Sequence, residues 1–252
     1  MDYSQEPISD WWCEENVKLD LTRQGTNVRY LADHFRGRGW SENAIAGLAG
    51  NMQVESFVNP WMWEDYTTPS NIYKSKKGLG LVQWTTSRNE NPPNRMLKWC
   101  EDNGLDYRTG EAQMAYMDYE FDNKLQWRPV AVTYNNVKYP AMSYAAWSIL
   151  EAPADAMAAI FSRSYERSSG DSPLRKQYAL YWYNYLQTDY PPWIPDPENP
   201  DKPKPEPDDP DIPPPEPPDP DVPPPYTPRD YETWFLAYLA MAGRRRRSVL
   251  PE

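Results

Sequence analysis

The sequence predicts a mainly α-helical domain, then a polyproline II linker and a short amphipathic helix. Three observations predict this order. Apolar residues recur at helical spacing through the first 190 positions, prolines concentrate in one later stretch, and the last 24 residues carry a single apolar face. We therefore divide the 252 residues into a domain at 1–190, a linker at 191–228 and a tail at 229–252.

The domain is predicted to be built from helices separated by glycine and proline breaks. Helices are expected at about 27–34, 41–56, 95–103, 111–126, 143–150, 153–167 and 173–187. Strand signals are short and few, at 66–73 and 130–134, and they predict at most one small hairpin. The composition of this part is therefore typical of a mainly α class.

The linker is defined by its composition. Residues 191–228 hold 19 of the 29 prolines, ten acidic residues and two basic ones, and they repeat the pattern DPDIPPP and DPDVPPP. Proline fixes φ and lacks an N–H, so this stretch is expected to be an extended polyproline II spacer. A ligand for a proline-recognition module is the alternative.

The tail is predicted to form one helix. Thr227 is a plausible N-cap, and Gly243 closes the helix before an arginine run at 244–247. One apolar face is formed by Tyr231, Trp234, Phe235, Tyr238, Leu239 and Ala242. Such a helix is too short to fold alone, so we expect it to dock on a partner protein. An anionic membrane and its own domain are the weaker alternatives.

Composition excludes several classes of function. The net charge of −11 argues against nucleic-acid binding, and the single histidine, His34, excludes a histidine-rich metal site. No metal or cofactor is implied. Cys13 and Cys100 either pair or stay as thiols. No run of 18 apolar residues occurs, and the first ten residues lack the features of a secretory signal.

The helix at 41–56 carries an acid on an apolar face. Ile45, Leu48, Ala49 and Met52 share one side of this helix, and Glu55 is the next position on it. Burial and the negative end of the helix both raise the pKa of a carboxyl group, which would suit a general acid. The alternative is a glutamate at the helix edge bound by an arginine.

A glycine-rich segment follows, with sequence GLGLVQW at 78–84. Its glycines allow a tight turn, Gln83 offers a donor and an acceptor, and Trp84 offers a flat apolar face. An amide beside an aromatic ring suits an N-acetylated sugar. Further aromatic residues could stack on sugar rings or belong to the core. Those that we expect nearest to a cleft are Trp61, Trp63, Tyr66 and Trp147.

Together these segments resemble the phage tail lysozyme family. The resemblance rests on GNMQVESFVNP at 50–60, GLGLVQW at 78–84 and Arg88, with a weaker match at Tyr165-Glu166-Arg167 and Arg175. The layout is also similar to goose-type lysozymes and lytic transglycosylases. The resemblance implies a lysozyme-like α+β fold that cleaves the β-1,4 bond between N-acetylmuramic acid and N-acetylglucosamine. It makes Glu55 the catalytic acid, Ser56 its neighbour and Gln83 part of the sugar cleft.

A second carboxylate decides between two reactions. A hydrolase of the two-carboxylate type needs a partner across the scissile bond, and Glu64 or Asp65 could return to the cleft and hold a water. A lytic transglycosylase needs one acid only, because the substrate's own 6-hydroxyl attacks. Asp118, Glu120 and Asp122 are expected on a helix surface.

Two biological settings fit such a domain. A tether and an apolar helix favour an enzyme carried in the virion tail that opens the host wall at entry. An endolysin, made in the host cytoplasm and released late in infection, is the alternative. The alternative to an enzyme is a non-catalytic tail component that binds glycan or has a structural role.

Overall fold

The computed structural model describes residues 10–85, 95–168 and 172–187. This part of the chain is mainly helical, as predicted. Its helices are α1 (Leu21–Gly37), α2 (Glu42–Ser56), α3 (Arg95–Asp102), α4 (Gly110–Asp122), α5 (Tyr144–Ser148), α6 (Ala154–Ser164) and α7 (Pro173–Leu186). The strands β1 (Val132–Tyr134) and β2 (Val137–Tyr139) pair antiparallel. The linker, the tail and Arg88 lie outside the described residues.

Helix α2 is the central element of the fold. Ser41 caps its first turn by accepting a hydrogen bond from the Ala44 N–H, and 12 of its 15 residues are buried. The apolar face predicted from Ile45, Leu48 and Met52 is therefore only part of a helix that is surrounded on all sides. Helices α6 and α7 form its main packing partners.

Two glycines of α2 let these partners approach closely. A Cβ atom on Gly47 would lie 2.7 Å from the Met157 Cβ of α6, and one on Gly50 would lie 2.4 Å from the Arg175 carbonyl oxygen of α7. Real Cβ atoms essentially never lie so near another heavy atom, so any larger residue would push the helices apart. The two glycines thus set the distances of α6 and α7 from α2.

Aromatic side chains fill the space between α2 and the second half of the domain. Trp147 is fully buried, and its ring lies 5.3 Å from Trp40 and 5.4 Å from Phe161, centroid to centroid. Phe121 and Tyr144 stack at 3.6 Å. Much of the aromatic excess of the sequence therefore belongs to the core, where each ring buries a large apolar area.

One predicted element is wrong. The strand signal at 66–73 corresponds instead to an exposed segment with two short 3₁₀ turns, at Glu64–Tyr66 and Ile72–Lys74. Asp65 and Tyr66 have left-handed φ values of 58° and 55°, which interrupt extended backbone. The signal at 130–134 is confirmed as β1 of a hairpin, whose Asn135–Asn136 turn also has positive φ values.

No disulfide joins Cys13 and Cys100. Cys100 is buried in α3, and burial raises the pKa of its thiol to about 12. His34 contacts the Asp118 carboxylate at 2.9 Å on the side of α1 that faces α4. In the part of the chain that is described, no helix combines the length and apolar character of a membrane span.

We predict that Gly50→Ala destabilises the domain by about 1–3 kcal/mol or more, because the new methyl group meets backbone atoms of α7. Urea denaturation of the two proteins measures this loss. Gly37→Ala is the matched control, because a Cβ at Gly37 meets no atom within 4 Å; it should leave stability unchanged or raise it by up to about 1 kcal/mol. Equal stability of both variants would contradict the packing argument.

Candidate active site

Glu55 lies in the last turn of α2, where the chain leaves the core. The helix ends because Phe57 and Val58 both adopt left-handed φ values, 56° and 53°. This conformation is rare for bulky residues and rarer for a β-branched one, so the exit from α2 is tightly constrained. The Glu55 side chain is 19% exposed. It therefore reaches solvent from an otherwise buried helix.

Arg175 of α7 binds the Glu55 carboxylate. One guanidinium nitrogen of Arg175 donates to Glu55 Oε1, and another donates to Asn51 Oδ1 at 2.9 Å. Asn51 is itself fixed, because its Nδ2 donates to the carbonyl oxygens of Gly47 and Ala158. Asn51 and Glu55 lie one turn apart on the same face of α2, so they hold Arg175 together. Glu55 is thus bound by an arginine in this structure, and its role as a general acid stays a prediction.

Ser56 ties the glycine-rich loop to the end of α2. Its hydroxyl contacts the Leu81 carbonyl oxygen at 3.0 Å and the Met52 carbonyl oxygen at 3.1 Å. The loop turns at Gly80, where φ is +80°, and the Leu81 N–H donates to Gln113 Oε1 of α4 at 2.9 Å. The loop is thus held between two helices: Ser56 binds it to the end of α2, and Gln113 binds it to α4.

Glu64 is attached to the other side of the same loop. Its backbone N–H donates to the Gly78 carbonyl, and its Oε2 accepts from the Gly78 N–H, both at 2.9 Å. Glu64 and Asp65 are exposed. The loop therefore links Glu64 to Ser56, although one carboxylate oxygen of Glu64 is already engaged by backbone.

Glu120 of α4 is buried below the loop. It is 5% exposed and accepts hydrogen bonds from Trp84 Nε1 at 2.9 Å and from the Tyr165 hydroxyl. Burial raises the pKa of Glu120, and these hydrogen bonds oppose that rise. The prediction of Glu120 as a surface residue is wrong, because Trp84 and Tyr165 cover it from elements distant in sequence.

Glu166 follows Tyr165 and is electrostatically linked to Glu55. Its Oε1 is buried and has no hydrogen-bond partner among the described residues. Burial raises the pKa of Glu166 well above its ordinary value, the negative charges of Glu55 and Glu120 raise it further, and Arg175 opposes the rise. The cluster therefore consists of two carboxyl groups and one guanidinium that interact electrostatically, those of Glu55, Glu166 and Arg175.

A sequence model of the phage tail lysozyme family matches residues 26–186. The chain belongs to this family. It is also 32% identical over 173 residues to Morphogenesis protein 1 of Bacillus phage B103, an alignment that covers 68% of this chain and 42% of that protein. The chain thus spans less than half the length of that relative. Within the described residues, the matched range holds Glu55, Glu166 and Arg175.

Three residues expected to bind substrate in this family member are buried. Trp84 is 8% exposed and donates to Glu120, Trp147 is fully buried and donates to the Met157 carbonyl at 3.2 Å, and Ser56 is fully buried against the loop. None of them presents a surface for a sugar ring in this structure. Their contacts stabilise the core and the loop, so we leave them out of the proposed binding set.

Two of the expected binding residues do reach the surface. Tyr66 is 49% exposed, and the Lys18 ammonium lies 4.7 Å from the centre of its ring. Gln83 is half-buried, and its Nε2 donates to the carbonyl oxygens of Met62 and Gly80 at 3.0 and 3.1 Å. The amide nitrogen of Gln83 therefore shapes the loop, and its Oε1 lies close to Gly78, where a Cβ would be 2.7 Å away.

Glu166 and Arg175 gain their importance only from the structure. In sequence they stand 111 and 120 positions after Glu55, and only the weak family match at Tyr165-Glu166-Arg167 and Arg175 pointed to this region. No group of three or more His, Cys, Asp or Glu side chains in the described ranges is placed to hold a metal ion. The chemistry that this cluster can perform is proton transfer and charge stabilisation.

We predict that Glu166→Gln changes how stability depends on pH. A carboxyl whose pKa is raised on folding contributes stability below its unfolded pKa of about 4.3, and this contribution is lost as the pH rises through the folded value. The free energy of unfolding of the parent should therefore fall as the pH rises above about 4.3, and less steeply in the variant.

Urea denaturation at several pH values between about 4 and 8 measures these slopes. Glu111→Gln, at an exposed position of α4, is the control and should keep the parent's slope. Parent and Glu166→Gln slopes that coincide would show that the Glu166 pKa is not raised on folding.

Proposed function

We propose that this chain cleaves the β-1,4 bond between N-acetylmuramic acid and N-acetylglucosamine in peptidoglycan, with Glu55 as the general acid. Membership of the phage tail lysozyme family supports a lysozyme-like, wall-degrading role. The observation that carries the residue assignment is the position of Glu55. It is a solvent-reaching carboxylate at the end of a buried helix, next to a second carboxyl group and an arginine.

The proton transfer from Glu55 is proposed to be assisted by Glu166. Burial and the negative charge of Glu55 raise the pKa of Glu166, so the Glu166 carboxyl favours its protonated form. Arg175 balances the remaining negative charge. As the glycosidic oxygen becomes basic in the transition state, Glu55 is proposed to give its proton to the leaving group, while a protonated Glu166 limits the negative charge that remains beside Arg175. Glu166 acts through Glu55 and so is a positioning residue.

The step that follows depends on the second carboxylate on the substrate side. Glu64 and Asp65 are proposed as the residues that could hold an attacking water, because both are exposed on the segment bound to the glycine-rich loop. Tyr66, on the same 3₁₀ turn, is proposed as a platform for a sugar ring, and Gln83 Oε1 as an acceptor for an acetamido N–H. Without a held water, the 6-hydroxyl of the substrate would attack instead.

The setting that we propose is the virion tail, where the enzyme opens the host wall at entry. The family description refers to the tail, and the name of the related Bacillus phage protein refers to morphogenesis. The proline-rich linker and the amphipathic tail support attachment to a tail protein, with the domain free to search the wall. An endolysin would act on the same bond but would not need to be incorporated into particles.

We predict that Glu55→Gln lowers the release of soluble muropeptides from purified peptidoglycan by about 100-fold or more, because the amide cannot donate a carboxyl proton. Mass spectrometry of the digest measures the release and also identifies the product ends. Glu111→Gln should retain full activity. An equally active Glu55→Gln protein would remove Glu55 from the mechanism, and a wild type inactive on several wall types would favour a glycan-binding role.

We expect Asp65→Asn to lower the release of reducing ends by about tenfold or more, and Glu64→Gln to have a smaller effect. The reason is that Glu64 Oε2 is occupied by the Gly78 N–H. The same digests, scored for reducing and anhydro ends, compare the two variants. Anhydro ends released at an unchanged rate by both variants would assign the reaction to a transglycosylase that uses Glu55 alone.

A further inference from the structure

A concave surface is lined in part by Arg175, the residue that binds Glu55. A groove with a volume of about 360 Å³ runs between β1, the second half of α6 and the first turn of α7. Arg175 lines this groove and also binds Glu55. The groove therefore begins where the candidate active site ends, and we call it the α7 groove.

The α7 groove is positively charged in an otherwise acidic protein. Arg163, Arg175 and Lys176 line it, and no aspartate or glutamate occurs among its described lining residues. The Lys176 ammonium lies 4.7 Å from the centre of the Tyr134 ring, and the Tyr134 hydroxyl donates to Asp155 Oδ2 at 2.7 Å. Tyr134 thus forms a fixed wall, along which the lysine stem packs.

The first turn of α7 adds a partial positive charge to the same groove. Ser172 is the N-cap, yet its side chain makes no capping hydrogen bond, and the first turn carries no acidic residue. Amide groups at the start of a 14-residue helix favour a negatively charged ligand. Ser172, Arg175 and Lys176 all line the groove, so this end of the helix faces it.

A buried hydroxyl without a partner independently indicates a ligand. Ser162 is 4% exposed and lines the groove, and its Oγ has no hydrogen-bond partner among the described residues. An unsatisfied buried hydroxyl costs stability, and a carboxylate in the groove would satisfy it. The helix end and the basic side chains line the same groove, and the unpartnered hydroxyl belongs to a residue in its wall.

We propose that the α7 groove binds a carboxylate of the peptide stem that peptidoglycan carries on its muramyl residues. This inference rests on the proposed function, because it places the glycan at Glu55 and its peptide substituent beyond Arg175. A groove of about 360 Å³ can hold a segment of two or three amino acids. The lactyl carboxylate of a peptide-free muramyl residue has the same chemistry, and the experiment separates the two sources.

Equilibrium binding to the full chain tests the proposal without any need for cleavage. Isothermal titration is carried out with the free stem peptide, with peptide-free glycan strands and with an N-acetylglucosamine oligomer that has no carboxylate. We expect the parent to bind the free peptide, and Lys176→Gln and Ser162→Ala to weaken that binding about tenfold and about threefold. Lys138→Gln, exposed on β2, should bind like the parent.

Ser162→Ala has a second expected effect that a structural serine would not show. Removal of its unpartnered hydroxyl should leave the ligand-free protein as stable as the parent or more stable, while binding is weakened. Ser164→Ala is the matched control. Its Oγ is also buried without a described partner, but Ser164 does not line the groove, so it should leave binding unchanged.

Three results would overturn the proposal. The first is that the free peptide does not bind to the parent, and the second is that both Lys176→Gln and Ser162→Ala leave the affinity unchanged. The third is that binding depends on Lys176 only with peptide-free strands, which would assign the groove to the lactyl carboxylate. Peptide binding that depends on Lys176 in a chain that does not cleave peptidoglycan would support the groove and reject the glycosidase. The two proposals therefore fail separately.

Discussion

The close approach of α7 to α2 at Gly50 is the constraint on which the rest of the site depends. The Arg175 carbonyl oxygen lies so close to Gly50 that a Cβ there would overlap with it, and the Arg175 side chain reaches Asn51 and Glu55. A larger residue at this position would move α7 outward together with its arginine. The packing of two helices thus fixes the charge that faces the candidate acid.

The same packing brings the guanidinium of Arg175 to two carboxyl groups, Glu55 and Glu166, and Glu166 also senses the charge of Glu120. Glu55 is the one that reaches solvent, while Glu120 and the buried oxygen of Glu166 lie deeper. The deeper groups favour protonation, because burial penalises their charged forms. The pKa values are thus raised for the two deeper carboxyl groups, whereas the carboxylate nearest to solvent forms an ion pair with Arg175.

Local patterns predicted the helices and the position of Glu55 but not its surroundings. The cap at Ser41, the run of small and apolar residues and the glycines were sufficient to predict α2, and their spacing placed Glu55 in its last turn. Glu120 was placed at the surface because α4 has no single apolar face, and its burial depends on Trp84 and Tyr165. The sequence alone does not decide whether Trp147 belongs to the core or to a sugar-binding cleft, because an aromatic residue is common in both. Contacts that join residues a hundred positions apart have no local signal.

The place of α7, directly before the later part of the chain, has a consequence for how a force would enter the domain. The chain passes from Leu186 toward the proline-rich stretch, so a force applied to the later residues enters the domain at the C-terminal end of this helix. Arg175 stands in the first turn, roughly 16 Å away along the helix axis. Between them, Ala179 and Trp182 are buried and anchor the helix. A force applied beyond Leu186 would peel α7 from the end remote from Glu55, which leaves the ion pair intact until these anchors yield.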